Sequence, residues 1–211
     1  MKYCTIIFMV WLCIGTIHGQ QKIEKHMSFS GKGSLVMDIQ IADSITIHTW
    51  NKNEVFVTAS ISINENKDND AYETSFDDSG NSVVIKSNFR KNYFKGNDHC
   101  CIKSDIYWEV YMPENTYFSI ETIDGNITIT GKTDKMKVKS ISGFIDLAVP
   151  STQKADLEFS TISGTIYSNH DLHYRTMHSG VPSEITGKLN NGGSPINLET
   201  ISGDIFFRKS N

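Results

Sequence analysis

The sequence predicts an all-β chain wound as a β-solenoid of short strands with glycine corners. Three observations predict it: strict two-residue alternation of apolar and polar side chains in several stretches, no window of helical periodicity, and one short phrase that recurs through the second half. The chain is rich in Ile, Thr, Ser, Val, Tyr and Phe, which suit a pleated surface.

The first twenty residues read as a leader. Lys2 precedes an apolar run over residues 5–17, followed by His18, Gly19 and Gln20, the order of a secretory signal peptide. The run is shorter than the ~20 residues a bilayer-spanning helix needs. Residues 1–20 are therefore expected to be a signal peptide cut after Gly19 or Gln20, which makes the protein an exported one of the periplasm, cell surface or extracellular space. Residues 21–211 are the mature chain, with no transmembrane span. Cys13 follows Val10-Trp11-Leu12, whereas a lipoprotein signal wants small residues there, so lipid anchoring has weak support.

Only Cys100 and Cys101 remain after the leader is removed, so no disulfide framework is available. A mature chain of this length buries about 70% of its unfolded surface and needs no staples. It is expected to form one domain, with longer strands over 21–113 and repeat coils over 114–211. Lys2 is the one charge in the leader, so of 20 basic side chains 19 remain against 24 acidic, a balance of −5. Nothing resembles a basic patch, which argues against nucleic acid as a partner.

The first strands follow from alternation. Val55, Val57, Ala59, Ile61 and Ile63 fall on one face, with Phe56, Thr58, Ser60 and Ser62 on the other. Similar stretches lie at 35–41, 45–49, 83–89 and 106–112, each bounded by Gly, Asn, Asp, Lys or Pro.

The coils follow from the recurring phrase: Thr122-Ile123-Asp124-Gly125-Asn126-Ile127, Ser140-Ile141-Ser142-Gly143-Phe144-Ile145, Thr161-Ile162-Ser163-Gly164-Thr165-Ile166 and Thr200-Ile201-Ser202-Gly203-Asp204-Ile205. The glycines are 18, 21 and 39 residues apart, and a degenerate copy at His178-Ser179-Gly180 divides the long gap into 16 and 23. In an unbroken strand both isoleucines and the glycine share a face, and glycine lets the chain bend inward without a colliding side chain. Coils stacked in chain order would set Ile141 beside Ile162, with Ile127, Ile145 and Ile166 in a column and Ser142 and Ser163 in a polar ladder. The competing reading takes the Ser-Gly and Asp-Gly pairs as hairpin turns of an antiparallel sandwich.

Residues 44–55, Ser-Ile-Thr-Ile-His-Thr-Trp-Asn-Lys-Asn-Glu-Val, followed by the Thr-Ile-Ser-Gly-Asp-Ile phrases, resemble the bacterial putative-adhesin family of unknown function with β-strand repeats and its head-GIN-like relatives. The resemblance covers most of the mature chain. It implies a right-handed parallel β-helix or β-roll exported to the cell envelope, and it brings no catalytic residue. The copy near His178 and the stretch 190–195 depart from the phrase.

Asp98-His99-Cys100-Cys101 gathers three metal-ligand types, but adjacent side chains on an extended backbone point apart and no second ligand cluster is present, so no metal site is assigned. Residues 64–81, with Asp68, Asp70, Glu73, Asp77 and Asp78, lack the spacing of a calcium loop and read as a solvated stretch. Seven histidines, among them His170, His173 and His178, accompany no nucleophile–base motif, and no cofactor-binding motif occurs.

Of the aromatics Tyr93, Phe94, Tyr107, Trp108, Tyr111, Tyr117 and Phe118, about half are expected in the core. Trp108, Val110 and Met112 form an inward face, leaving Tyr107, Glu109 and Tyr111 as the candidate ligand face, suited to stacking on sugar rings.

The expected function is a non-catalytic envelope module, an adhesin-type binder presenting a repetitive face to a polysaccharide or an envelope or surface protein. Two alternatives stay open: a β-helix polysaccharide-active enzyme and a purely structural periplasmic scaffold. Arg208 and Lys209 are expected to guard an open edge on the last strand, and the oligomeric state is left undecided.

Overall fold

The computed structural model describes residues 19–29, 33–95, 102–114, 116–178 and 183–210. The signal-peptide assignment and the Asp98-His99-Cys100-Cys101 cluster lie outside them. Sixteen strands follow one another: β1 (Gln21–Ser28), β2 (Ser34–Ile39), β3 (Ile41–Trp50), β4 (Glu54–Ile63), β5 (Tyr72–Asp77), β6 (Ser82–Phe89), β7 (Ser104–Pro113), β8 (Tyr117–Thr130), β9 (Met136–Ser142), β10 (Ile145–Val149), β11 (Ala155–Ser163), β12 (Ile166–Ser168), β13 (His173–His178), β14 (Ser183–Leu189), β15 (Ser194–Ser202) and β16 (Ile205–Lys209). The one helical element among the described residues is a single 3-10 turn, Asn69–Ala71.

The longest strand, β8, ties the molecule together. Its first part pairs with β2 and β9, and its second part, past Gly125, pairs with β3 and β10. Two columns of strands therefore diverge from it. One runs β5-β6-β2-β8-β9-β15-β11-β14-β13, the other β1-β4-β7-β3-β8-β10-β16-β12. Inward side chains of both columns, from Met27 and Leu35 to Ile205 and Phe207, form one hydrophobic cluster, so the columns enclose a common core. Alternation works as the sequence implies in β4, where Val55, Val57, Ala59, Ile61 and Ile63 are all buried.

The fold is all-β with an open, mixed sheet. Ten of the fifteen strand pairings among the described residues are parallel and five antiparallel. This corrects the expectation of a uniformly parallel coil. The parallel pairings hold the four phrases together, while β1, β4, β5, β13 and β14 join antiparallel at the ends of the columns. The segment leading to His178 forms one strand of such an antiparallel pair, and Ser179 and Gly180 of the degenerate copy lie outside the described residues.

Stacking order is the second correction. β15 inserts between β9 and β11, so the phrases stack in the order 125, 143, 203, 164. Ile201 thus separates Ile141 from Ile162, and Ser202 separates Ser142 from Ser163. In the other column Ile127 does neighbour Ile145, but Ile205 stands between Ile145 and Ile166. For the same reason β16 lies between β10 and β12 over Ile205–Phe207 and is no free edge there, while Arg208 and Lys209 extend past β12, where Lys209 N donates to Asn169 Oδ1 at 2.7 Å. Arg208 Nε donates to Asp146 Oδ1 at 2.7 Å.

The third correction concerns the phrase itself. Ile123, Ile141, Ile162 and Ile201 point outward and are 43–49% exposed, whereas Ile127, Ile145 and Ile205 are fully buried. The corner takes up one extra residue, which breaks the two-residue period: Thr122 is inward, Ile123 and Asp124 are both outward, and Gly125 is buried again. The Thr or Ser opening each phrase is buried, and its hydroxyl donates to a carbonyl of the corner, as Ser140 Oγ does to Ser142 O at 2.8 Å and Thr161 Oγ1 to Gly203 O at 3.0 Å. This satisfies carbonyls that the bend takes out of the ladder.

Candidate functional site

On β7 the inward residues Ile106, Trp108, Val110 and Met112 are buried, and Tyr107, Glu109 and Tyr111 alternate with them on the outward face. Tyr107 is 45% exposed. Register brings four residues that sequence reasoning did not single out beside Tyr111. Phe56 of β4 and His48 of β3 flank it, His26 of β1 lies beyond Phe56, and Trp50 follows at the end of β3. Ring centroids are 6.0 Å apart for Phe56 and Tyr111, 5.2 Å for Trp50 and Tyr111, 5.0 Å for His48 and Tyr111 and 4.4 Å for His26 and Phe56. Lys52 caps the patch, with Nζ 4.4 Å from the Trp50 ring.

The acids around this patch are held by neighbours. Tyr111 donates its hydroxyl to Glu109 Oε1 at 2.8 Å, and that carboxylate holds the Tyr111 hydroxyl above the ordinary tyrosine range. His48 Nε2 lies 3.9 Å from the same oxygen. His26 Nδ1 is 2.6 Å from Glu54 Oε1 and its Nε2 is 3.6 Å from Glu24 Oε1; the hydrogen bond to Glu54 raises the His26 pKa.

An open groove of about 600 Å³ adjoins the patch on the same face. Hydroxyls of Ser44, Thr46, Thr58 and Ser60 line its floor, and Tyr107, Glu109, Lys22 and Glu24 stand around it. The surface thus offers ring faces beside hydroxyl and carboxylate groups, which is the chemistry a sugar ring needs: an apolar face to stack on and polar groups to meet its hydroxyls.

The other candidates that the sequence pointed to scatter. Tyr93, Trp108 and Phe118 are core, while Phe94 is 54% exposed beside Phe89 and Tyr93. Asp68 accepts from Asn64 and from the Tyr93 hydroxyl at 3.0 Å, Arg90 approaches Asp70 at 3.4 Å, and Asp77 accepts from Ser79 N, so these carboxylates do not converge. Among the described residues no group of three or more His, Cys, Asp or Glu side chains could hold a metal ion. His170 is buried against Phe207, away from the patch.

A second surface feature escaped sequence reasoning. The outward isoleucines form a ladder, 123–141–201–162, along which Glu121, Lys139 and Glu199 alternate in charge, with Lys139 Nζ 2.8 Å from Glu199 Oε2. A signal was present in the sequence: Ile120 and Ile127 are apolar residues of one long strand an odd number apart, and they share the core face only if one residue between them breaks the period.

The Toastrack DUF4097 family model matches residues 118–207. That segment runs from the start of β8 into β16 and holds all four phrases. A solved "putative cell adhesion protein" from Clostridium sporogenes superposes with a TM-score of 0.57 at 12% identity, over 91% of this chain and all of that one, which shows a shared fold. A "putative adhesin" from Bacteroides fragilis matches at 11% identity with a TM-score of 0.32, over 92% of this chain and 99% of that one. No curated protein matches the chain. No helix among the described residues is long and apolar enough to cross a membrane.

Proposed function

We propose that the protein is an exported, non-catalytic binding module of the cell envelope that holds a polysaccharide on the outward face around Tyr107, Glu109 and Tyr111. The observation that carries this reading is the aromatic patch of His26, His48, Trp50, Phe56 and Tyr111 beside a hydroxyl-floored groove. The signal-peptide-like order of residues 1–20 supports export to the periplasm, cell surface or extracellular space, and we read residues 21–211 as one domain. The adhesion naming of the Clostridium sporogenes protein agrees with a binding role. We read the parallel centre as a short right-handed β-solenoid, the hand that crossovers between parallel strands favour.

The test is a glycan array probed with the full chain and with Tyr107→Ser and Tyr111→Ser. Each substitution is expected to weaken retention about tenfold, the loss of one ring contact worth about 1.4 kcal/mol. Unchanged retention in both variants, or no retention by the parent, would overturn the reading.

One observation favours a second, enzymatic reading. Glu24 and Glu109 stand either side of Thr58 in one register row, with their Cα atoms two strand spacings, about 10 Å, apart on one face, an acid pair of the kind glycosidases place across a glycosidic bond. New reducing ends appearing in an incubated glycan, and abolished by Glu109→Gln, would select it.

A further inference from the structure

We infer that the same outward face carries a second aromatic platform, formed by Phe144, Phe206 and Tyr167, and that the ligand is an extended, uncharged glycan lying across the strands between the two platforms. This rests on the glycan reading of the Tyr107–Tyr111 face and adds to it the direction, length and charge of the ligand.

An unbroken register row joins the platforms. Glu109 is level with Thr46, Thr46 with Thr128, Thr128 with Asp146, Asp146 with Phe206 and Phe206 with Tyr167. These residues all belong to the outward set, since their neighbours Val110, Ile47, Ile129, Leu147 and Phe207 are buried. Four strand spacings separate Glu109 from Phe206, about 19 Å. The adjoining row repeats the pattern, with Tyr107 level with Ser44 and Ser44 with Asn126, whose Oδ1 accepts from Phe144 N at 3.3 Å.

The second platform is well formed. Phe206 and Tyr167 stack with centroids 5.2 Å apart and planes within 9°, Phe144 meets Phe206 edge-on at 6.1 Å, and Tyr167 is 49% exposed. Buried aromatics are what a core needs, but these rings pack on one another at the surface, Tyr167 exposed and Phe144 and Phe206 half-buried. Between the platforms the strip presents Ser44, Thr46, Asn126 and Thr128, small hydroxyl and amide groups that leave the path low and supply donors and acceptors.

Charge selects the ligand class. The acids beside the path are already engaged: Glu109 with Tyr111 and His48, and Asp146 with both nitrogens of the Arg208 fork. Asp146 and Arg208 pair with each other, so among the described residues the row between the platforms presents no unpaired cation to an acidic glycan, which favours a neutral, hydroxyl-rich chain there; Lys22 and Lys52 stand at the Tyr107–Tyr111 end. Direction follows from the strands themselves, because the rings recur laterally, from strand to strand.

The experiment measures affinity of the full chain for a size series of β-linked neutral glucose oligomers, from the disaccharide to the octasaccharide, by titration calorimetry. The parent chain, Tyr111→Ser, the double variant Phe206→Ser with Tyr167→Ser, and Thr128→Lys, which raises an obstacle mid-path, are compared after circular dichroism and melting confirm their folds. Affinity is expected to rise with length in the parent chain. The double variant and Thr128→Lys should lose about tenfold for long oligomers and nothing for the disaccharide, while Tyr111→Ser weakens both. Equal affinity for short and long oligomers, or an unchanged octasaccharide affinity in the double variant, overturns the second platform and leaves the first site standing. No binding of any oligomer by the parent chain overturns the glycan reading and this inference with it.

Discussion

Gly203 packs on Gly143 so closely that a Cβ built on Gly203 would stand 2.0 Å from the Gly143 carbonyl oxygen. The same relation recurs up the stack, where a Cβ on Gly164 would meet Gly203 O at 2.0 Å and one on Gly143 would meet Gly125 O at 2.4 Å. At the lower end a Cβ on Gly125 would face Ala42 O at 2.9 Å. Because the obstacle is backbone, it cannot rotate away. Gly203→Ala is expected to cost about 3 kcal/mol and lower Tm by roughly 6–12 °C, against about 1 kcal/mol for Gly125→Ala, both measured by thermal unfolding.

In the phrases around Gly125, Gly143 and Gly203 the two isoleucines should differ sharply in worth. Ile145 is fully buried, and Ile145→Ala is expected to destabilise by about 2–5 kcal/mol through lost burial and the cavity left behind. Ile141, 47% exposed on the outward ladder, should cost less than about 1 kcal/mol in the same change. Urea unfolding of the two variants at matched m-values checks the contrast; equal costs would contradict the broken period at the corner.

The buried hydroxyls that open the phrases also carry stability. Thr161 Oγ1 donates to Gly203 O at 3.0 Å in a fully buried setting, so Thr161→Val, which keeps shape and deletes the donor, is expected to cost about 1–2 kcal/mol. Thr200 Oγ1 reaches Gly143 O only at 3.5 Å, and Thr200→Val should cost less. Equilibrium unfolding in urea reads both.

Stability should fall below neutral pH on account of His170. Its ring stacks on Phe207 at 4.5 Å, its Nε2 is buried without a hydrogen-bond partner among the described residues, and burial holds its pKa below the usual histidine value. The unfolded chain therefore takes up the proton first. The contribution is complete above about pH 6.5 and is lost as pH falls from there through the lowered folded value. His26 acts with the opposite sign: its pKa, raised chiefly by the hydrogen bond to Glu54, adds stability at low pH that disappears as pH rises through it. His170→Phe isolates the first effect, and Tm of this variant, followed from about pH 7 to about pH 5, should lose less than that of the parent.

Much of the β character was legible one residue at a time. In β4 and β7 the alternation of Val55 to Ile63 and of Ile106 to Met112 separates buried from exposed side chains correctly, because within a strand side-chain direction is a local property with a period of two. The recurring glycines likewise announced corners that admit no side chain. The same local reasoning failed at Ile123, Ile141, Ile162 and Ile201, where the bend consumes a residue and reverses the face.

What the sequence by itself determined was which residues could line a core, where the chain must turn, and that Tyr107, Glu109 and Tyr111 share an outward face. Tertiary structure alone decided which strands meet. Parallel pairing carries no mark of chain order, so β15 could insert between β9 and β11 and set Ile201 between Ile141 and Ile162. The partners of Tyr111 were decided the same way: His26, Phe56 and His48 come from three separate strands, and only the lateral register of β1, β4, β7 and β3 brings their rings together.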